Sequence, residues 1–292
     1  MGRERVVPSF PRNNTIHHSL IMRIPTAIRL IRDLYKFSTG NVFTTTNPKT
    51  LKNGEVSNSP TIVLHLSPVT YGVCPAAGSC AALCLNKAGA PLYMKNKLSR
   101  RDKRSHAYQY HRNYFLQLIV MEAARQFRKG YVGVRLNGTS DIAWEKEYVT
   151  VDTDVSDYIH NKFDIYIEPG VHTVISAMRR IGLQPYDYTK RIDRDFDTCR
   201  YLGYHLTLSW GGKHDDQIFN IAERYGLNVA APVYGVKKKQ ALPGEIKGYP
   251  VVDGDVTDWR RDDPAGQVHI VGLRLKRTPG QTEQLARRFC II

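Results

Sequence analysis

Residues 204–234, YHLTLSWGGKHDDQIFNIAERYGLNVAAPVY, decide the fold class. The stretch predicts a buried strand, YHLTLSW, then a helix, DDQIFNIAERYG, and then a second buried strand, NVAAPVY. Two largely apolar strands separated by a helix are typical of parallel strands that are joined by a crossover and covered on both faces. The stretch therefore predicts an α/β fold.

The same alternation extends to both sides of this stretch. Strands are predicted at 62–69, 131–137, 184–190, 249–252 and 268–277, and helices at 107–127, 171–182 and 196–202. About six such units closing on themselves would form a (β/α) barrel-like domain, either closed or incomplete.

A division of the chain near residue 60 is also predicted. Residues 1–60 are read as a basic N-terminal extension, in which Asn53-Gly54 predicts a hairpin turn. Residues 61–292 are read as one α/β domain that contains every cysteine of the chain. No run of apolar residues is long enough to cross a bilayer, and the N-terminus lacks the apolar core of a secretory signal, so no membrane contact and a cytoplasmic location are expected.

The chain is strongly basic, with 42 Lys and Arg against 27 Asp and Glu and a formal net charge of +15. Charge of this size attracts a polyanion, and nucleic acid is the partner that it favours. A solvated basic surface without a specific partner is the alternative. No feature of the sequence indicates a protein partner.

The positive charge is concentrated in residues 94–104, MKNKLSRRDKR, where Asp102 is the one acidic residue, and tyrosines follow closely. Basic side chains neutralise phosphates and aromatic rings stack on unpaired bases, which suits single-stranded DNA or RNA. Alternatively, some of these aromatic rings form the buried face of the helix that follows. The predicted nucleic-acid-binding residues are Lys95, Lys97, Arg100, Arg101, Lys103, Arg104, Tyr108 and Tyr110.

The stretch CPAAGSCAALC contains three of the five cysteines, Cys74, Cys80 and Cys84. In a cytoplasm thiols stay reduced, and clustered cysteines bind metals more often than they form disulfides. The spacing fits no usual zinc pattern, whereas three thiolates in one short loop suit an iron–sulfur cluster with one iron left open. A zinc completed by His65 or Cys199 is one alternative, and plain packing of small residues is another.

Polar side chains follow the other predicted strands. The catalytic candidates are Ser140, Asp141 and Lys190, and the ligand-binding candidates are Asn137, Thr139 and Tyr188. Ligands in α/β folds bind beyond the carboxyl ends of the strands, where parallel strands would bring these residues together. In the alternative interpretation, Ser140 or Asp141 is a helix N-cap, and Tyr188 belongs to a buried strand that ends at the surface.

Four segments in this order, CPAAGSCAALC, RLNGTSDIAWE, YDYTKR and VVDGDVTDW…VGLRLK, resemble the bacteriophage gene product 88 family over about residues 60–277. That resemblance implies a phage origin and a location in the host cytoplasm. The chain is more distantly similar to radical S-adenosylmethionine enzymes, which place three cluster cysteines after the first strand of a (β/α) barrel. That likeness implies S-adenosylmethionine as a further cofactor, but the cysteine spacing differs and NGTSD stands where those enzymes have a Gly-Gly-Glu segment.

These features together predict a phage-type metalloprotein that acts on or with nucleic acid and holds an iron–sulfur cluster through Cys74, Cys80 and Cys84. One alternative is a non-catalytic DNA- or RNA-binding protein with a structural zinc. Another is a metal-independent enzyme of the replication or nuclease type that uses Asp and His side chains.

Overall fold

The centre of the protein is a large sheet, seen in a computed structural model that describes residues 23–38, 42–46, 48–68, 71–84, 95–276, 278 and 280–292. Its strands are β1 (Phe43–Thr44), β2 (Thr61–Leu64), β3 (Gly133–Arg135), β6 (Gln184–Thr189), β7 (His205–Ser209), β8 (Val229–Val233), β9 (Glu245–Ile246), β10 (Tyr249–Asp253) and β11 (Ile270–Arg274). The strand order is β1-β2-β3-β6-β7-β8-β11-β10-β9. The other described strands, β4 (Tyr148–Val151) and β5 (Gly170–Thr173), form a separate antiparallel pair.

The large sheet is parallel except at its two edges. Every pair from β2 to β10 is parallel, whereas β1 pairs antiparallel with β2, and β9 with β10. From β2 to β8, each strand of this sheet lies beside the strand that precedes it along the chain. The carboxyl ends of these strands therefore meet at one edge of the sheet. The α/β class with a mostly parallel sheet is confirmed.

The sheet is open in the part of the chain that the structure describes. β1 and β9 each pair on one side only, and each is two residues long. Such short edge strands leave few backbone groups exposed for further pairing. An open sheet thus replaces the closed form of the predicted (β/α) barrel.

Helices pack on strands of the sheet and on one another, and they contribute much of the larger core. In the described residues they are α1 (Thr26–Tyr35), α2 (Pro48–Ser57), α3 (Lys95–Tyr110), α4 (Arg112–Phe127), α5 (Thr153–Phe163), α6 (Val174–Ile181), α7 (Phe196–Tyr201), α8 (Ile218–Tyr225) and α9 (Glu283–Phe289). α4 is buried on almost every face, including Glu122. That carboxylate is neutralised from two sides, by Arg32 of α1 and by Arg125 of its own helix.

The single helix predicted over 107–127 is wrong, because the chain forms two helices that meet at His111. His111 has φ −135° and ψ 44°, which ends α3 before α4 begins. α3 is fixed by its own contacts: the Ser105 hydroxyl accepts a hydrogen bond from the Ser67 backbone N–H at 2.7 Å, and Arg104 donates to the His65 carbonyl at 3.1 Å. α3 is therefore held against the segment that leaves β2, whereas α4 packs in the core.

The hairpin predicted at Asn53-Gly54 is also wrong, because both residues lie inside α2. Asn53 is fully buried, and its amide donates to the hydroxyls of Thr61 and Tyr186 at 3.1 and 3.0 Å. Its side-chain oxygen accepts from the Asp258 backbone N–H at 2.8 Å. These tertiary hydrogen bonds, which join parts of the chain far apart in sequence, override the local turn preference of the Asn-Gly pair.

Residues before 60 contribute to the same core as the later elements. Ile28 and Ile31 of α1 are buried in the main hydrophobic cluster, and β1 adds a strand to the sheet. The boundary predicted at residue 60 thus falls between α2 and β2, which contact each other. Residues 1–22 of the predicted extension lie outside the described residues. Within the described part of the chain, no helix has both the length and the apolar character needed to cross a membrane.

We expect Asn53→Ala to lower the free energy of unfolding by about 3 kcal/mol, because it leaves several buried donors and acceptors without partners. Glu55→Ala, at an exposed position of the same helix, is the matched control and should stay within about 0.5 kcal/mol of the parent. Urea denaturation followed by circular dichroism measures both. A loss at Asn53 no larger than the loss at Glu55 would show that the buried network does not hold α2.

Candidate functional site

The loop after β2, residues 71–84, packs directly on the loop after β7; we call it the cysteine loop. Ala77 and Gly212 form an antiparallel backbone bridge. The Cys80 backbone N–H donates a hydrogen bond to the Gly211 carbonyl at 3.0 Å. Both loops leave the carboxyl edge of the sheet, so this pairing holds the cysteine loop over that edge.

Glycines make this close approach possible. A side chain at Gly78 would collide with the backbone carbonyl of Gly212. Gly211 has φ 91° and lies against the ring of Phe289 from α9, which leaves no room for a Cβ. The Asp215 carboxylate accepts hydrogen bonds from the N–H groups of Gly211 and Gly212 at 2.9 and 3.0 Å, which closes the loop after β7.

The three cysteines of the cysteine loop form no disulfide among the described residues, and all three are partly exposed. Burial raises the pKa of the Cys74 thiol to about 12. The positive charge of Lys190 opposes this rise, whereas Asp141, Cys80 and Cys84 add to it. The thiol of Cys74 is therefore close enough to the other two to interact electrostatically with both.

A cation lies at each end of the cysteine loop. Lys190 is beside Cys74, and its ammonium donates to the Ser209 hydroxyl at 3.0 Å. Arg101 of α3 interacts electrostatically with Cys84: burial lowers the pKa of Arg101, and negative charge on Cys84 opposes that decrease. Burial raises the pKa of Cys74 and Lys190 offsets part of that rise, so cations placed in this way would stabilise thiolates that bind a metal.

The chemistry of the cysteine side chains fits a bound metal, whereas their arrangement does not form a metal site. Three reduced cysteines flanked by cations fit a thiolate-bound group by chemistry. Within the described residues, however, no three His, Cys, Asp or Glu side chains stand where they could hold a metal ion together. Cys199, the more distant candidate ligand, is buried on α7, beside Glu145 and Arg194.

Asn137 organises the loop after β3. Its side-chain oxygen accepts hydrogen bonds from the Ser140 hydroxyl at 2.9 Å, the Ile142 N–H at 2.9 Å and the Trp144 indole N–H at 3.0 Å. Thr139 donates its hydroxyl to the Leu66 carbonyl at 2.6 Å. The predicted ligand-binding residues Asn137 and Thr139, and the predicted catalytic Ser140, are thus engaged within the protein, and their ligand contacts stay a prediction.

Asp141 joins three strand-end loops. Its carboxylate accepts hydrogen bonds from the Thr189 hydroxyl at 2.7 Å and the Lys190 N–H at 2.8 Å, both at the end of β6. Its own N–H donates to the Val73 carbonyl of the cysteine loop at 2.7 Å. The structure therefore brings Asp141 and Lys190 together, as the strand-end argument predicted. Their catalytic role stays a prediction.

A buried ion pair that the sequence analysis missed supports this arrangement. Arg194 donates two hydrogen bonds to Glu145, at 2.8 and 2.7 Å, and both side chains are almost completely buried. The Arg194 guanidinium also lies 3.8 Å from the Asp141 carboxylate. Glu145 is the last residue of the RLNGTSDIAWE segment, but Arg194 stands in no recognisable motif, so only the folded chain identifies the pair.

Tyr188 belongs to a second polar network. Its hydroxyl donates to Asp258 at 3.0 Å, and the guanidinium of Arg135 lies 4.5 Å from the centre of its ring. Burial and the charge of Asp258 raise the pKa of the Tyr188 phenol well above its usual value. Tyr188 therefore packs inside the protein as a neutral donor. Its predicted ligand contact stays a prediction.

Folding into α3 divides the predicted nucleic-acid-binding residues into a buried set and an exposed set. Arg101, Arg104 and Tyr108 are buried, with Tyr108 packed edge-on against Trp144. These three side chains are not part of an exposed basic surface, because they face the cysteine loop and the core. The exposed members are Arg100, Lys103 and Tyr110. The backbone of Lys95 and Lys97 begins α3, and their side chains lie outside the described residues.

Comparison with known proteins identifies the family. The family model described as gene product 88 matches residues 36–291, so the chain belongs to the gene product 88 family, the bacteriophage family that its motifs resemble. No curated protein and no solved structure matches the chain. The more distant resemblance to radical S-adenosylmethionine enzymes therefore receives no support from these comparisons.

We expect Gly78→Ala to detach the cysteine loop from the loop after β7, because the added methyl group collides with backbone that cannot move away freely. The free energy of unfolding should fall by about 1–3 kcal/mol, the usual cost of overpacking. Cys80 should react faster with a thiol reagent. Gly244→Ala, where a Cβ meets no atom within 4 Å, is the matched control. Equal stability and equal thiol reactivity in the two variants would refute the docking of the loop.

Proposed function

We propose that this member of the gene product 88 family is a nucleic-acid-associated protein that holds an iron–sulfur cluster in its cysteine loop. Cys74, Cys80 and Cys84 would be the ligands. In α/β proteins, ligands bind beyond the carboxyl ends of parallel strands, and the cysteine loop leaves that edge directly after β2.

The observation that carries the proposal is the pairing of thiols with cations. Lys190 lies beside Cys74 and Arg101 beside Cys84, and Arg101 is itself buried. Negative charge nearby stabilises a buried cation, because charge is costly to remove from water. A thiolate-bound cluster is negatively charged, so the two cations would offset its charge at both ends of the loop.

The proposal includes a rearrangement of the cysteine side chains, since their present positions do not form a metal site. Of the three residues between Cys80 and Cys84, Ala81 and Ala82 are exposed and small, whereas Leu83 is buried, so the rearrangement would turn the cysteine side chains about a loop that Leu83 anchors. When bound, such a cluster can transfer electrons or bind a ligand at an iron that has no cysteine. The role of the chain itself is to supply thiolates, balance their charge and hold the loop at the sheet edge.

The nucleic-acid part of the proposal is supported by the exposed face of α3. Arg100, Lys103 and His106 follow one another along this face, and the ring of Tyr110 lies 4.4 Å from that of His106. Cations beside exposed aromatic rings suit the phosphates and bases of a single strand. This face is much smaller than the stretch read from the sequence, since Arg101 and Arg104 are buried.

Protein that is isolated and reconstituted without oxygen should bind about four irons per chain and absorb broadly in the visible range. Cys74→Ala, Cys80→Ala or Cys84→Ala should each remove most of this iron. Cys199→Ala, which changes a buried cysteine of α7 outside the loop, is the matched control and should keep it. Iron analysis and the visible absorption spectrum measure the effect.

Two outcomes would contradict the cluster. A colourless protein with one tightly bound zinc that is lost in the loop variants would favour the structural-zinc alternative. Iron that is retained in all three loop variants would mean that other residues bind it.

Arg100→Ala combined with Lys103→Ala should weaken binding to single-stranded DNA and RNA of every sequence. Loss of two phosphate contacts should reduce the slope of log affinity against log salt by about 1.4, since each contact with a single strand contributes about 0.7. Fluorescence anisotropy at several salt concentrations measures this slope. Arg101→Ala should instead lower stability, because it removes a buried side chain. An unchanged salt slope in the double variant, with the fold intact, would exclude the exposed face of α3 as the binding surface.

A further inference from the structure

A large cleft opens at the other end of the carboxyl edge, away from the cysteine loop. Its volume is about 1120 Å³, slightly above the usual range for small-molecule sites. Its walls are formed by the residues that follow β8, β10 and β11, among them Gly235, Asp255 and Lys276. Topology thus places this cleft where α/β folds bind ligands.

The acidic side chains of the cleft are engaged by arginines. Asp253 and Asp255 both pair with Arg274, at 2.8 and 3.2 Å. Two further acids, Asp258 and Glu283, pair with Arg135 and Arg287 at 2.8 and 2.9 Å. These four carboxylates share three arginines, so most of their negative charge is offset and the cleft is a poor site for a metal cation.

Lysines supply the positive charge of the cleft. Lys237 and Lys238 are exposed on the loop after β8, and within the described residues neither forms an ion pair. Lys52 reaches the cleft from α2, where its ammonium donates to the Asp255 backbone carbonyl at 2.8 Å. The hydrogen bond from Arg274 and, to a smaller extent, the charge of Lys52 lower the pKa of Asp253. The cleft therefore presents an excess of positive charge.

Thr278 supplies an independent indication of a ligand. Thr278 is one of the residues that line the cleft and is 8% exposed, and its buried hydroxyl has no hydrogen-bond partner among the described residues. A buried hydroxyl without a partner is rare in native proteins, because losing its hydrogen bond to water is costly. A ligand oxygen in the cleft would satisfy it.

We infer that this cleft binds the phosphate groups of a nucleotide or of a nucleic-acid strand, with Lys52, Lys237 and Lys238 neutralising the phosphates and the Thr278 hydroxyl donating to one phosphate oxygen. Phosphates match both features, since they carry negative charge and accept hydrogen bonds. The site is separate from the proposed cluster and from the exposed face of α3. α9 lies between the cleft and the cysteine loop: Glu283 and Ala286 line the cleft, while Phe289 packs on Gly211 beneath Cys80.

The test measures binding of three probes to the full chain: pyrophosphate, ATP and a short fluorescent single-stranded DNA. For each probe that binds, Lys237→Ala combined with Lys238→Ala should lower the affinity by about tenfold or more, because two phosphate contacts are lost. The matched control is Arg128→Ala with Lys129→Ala, an equally exposed pair in the loop that enters β3 at the opposite edge of the sheet. Thr278→Val, which keeps the shape of the side chain, should weaken binding by about tenfold without lowering stability.

Binding of pyrophosphate or ATP that depends on Lys237, Lys238 and Thr278 supports a nucleotide-sized ligand. Binding of the DNA alone, with the same dependence, supports a strand that is held by several phosphates. Equal loss in the two charge variants, normal affinity in Thr278→Val, or no binding of any probe would overturn the inference. Cys80→Ala should leave binding in this cleft unchanged, so failure of the cluster proposal and failure of this one can be distinguished.

Discussion

Asp141 makes the contacts on which the candidate site depends. Through its N–H it holds Val73 of the cysteine loop, and through its carboxylate it holds the N–H of Lys190 and the hydroxyl of Thr189. One buried residue, through its backbone and its side chain, thus fixes the loops after β2, β3 and β6 relative to one another. A buried carboxylate is stable only when donors and positive charge surround it, and Arg194, paired with Glu145, lies close enough to contribute that charge.

These contacts also explain where part of the positive charge of the chain is located. Arg101 and Arg104 belong to the densest basic stretch of the sequence, yet both are buried behind the cysteine loop. Lys190 is placed beside Cys74 by the backbone hydrogen bond to Asp141. Part of the charge that predicts a polyanionic partner therefore lies inside the protein, where it faces thiols. The exposed remainder is divided between the face of α3 and the lysines around the cleft.

The sequence was sufficient for the α/β class and for the edge at which the site lies, because apolar strands separated by helices leave few other arrangements. It was also sufficient to expect Asp141 and Lys190 near each other, because both follow parallel strands. It failed where tertiary contacts outweigh local preference. Asn53 enters a helix because four partners from distant parts of the chain satisfy its amide. The buried side of α3 could not be read from the charge pattern, since that pattern gives no information about which face packs.

The central claim is that the cysteine loop binds iron through its three thiolates. X-ray absorption at the iron edge, on protein purified from cells without oxygen, tests it most directly because this method identifies the atoms around the metal. We predict iron surrounded by sulfur neighbours, with further iron atoms in the next shell, and loss of this spectrum in Cys80→Ala. Iron with only oxygen and nitrogen neighbours, or an identical sulfur shell in Cys80→Ala, would contradict the claim.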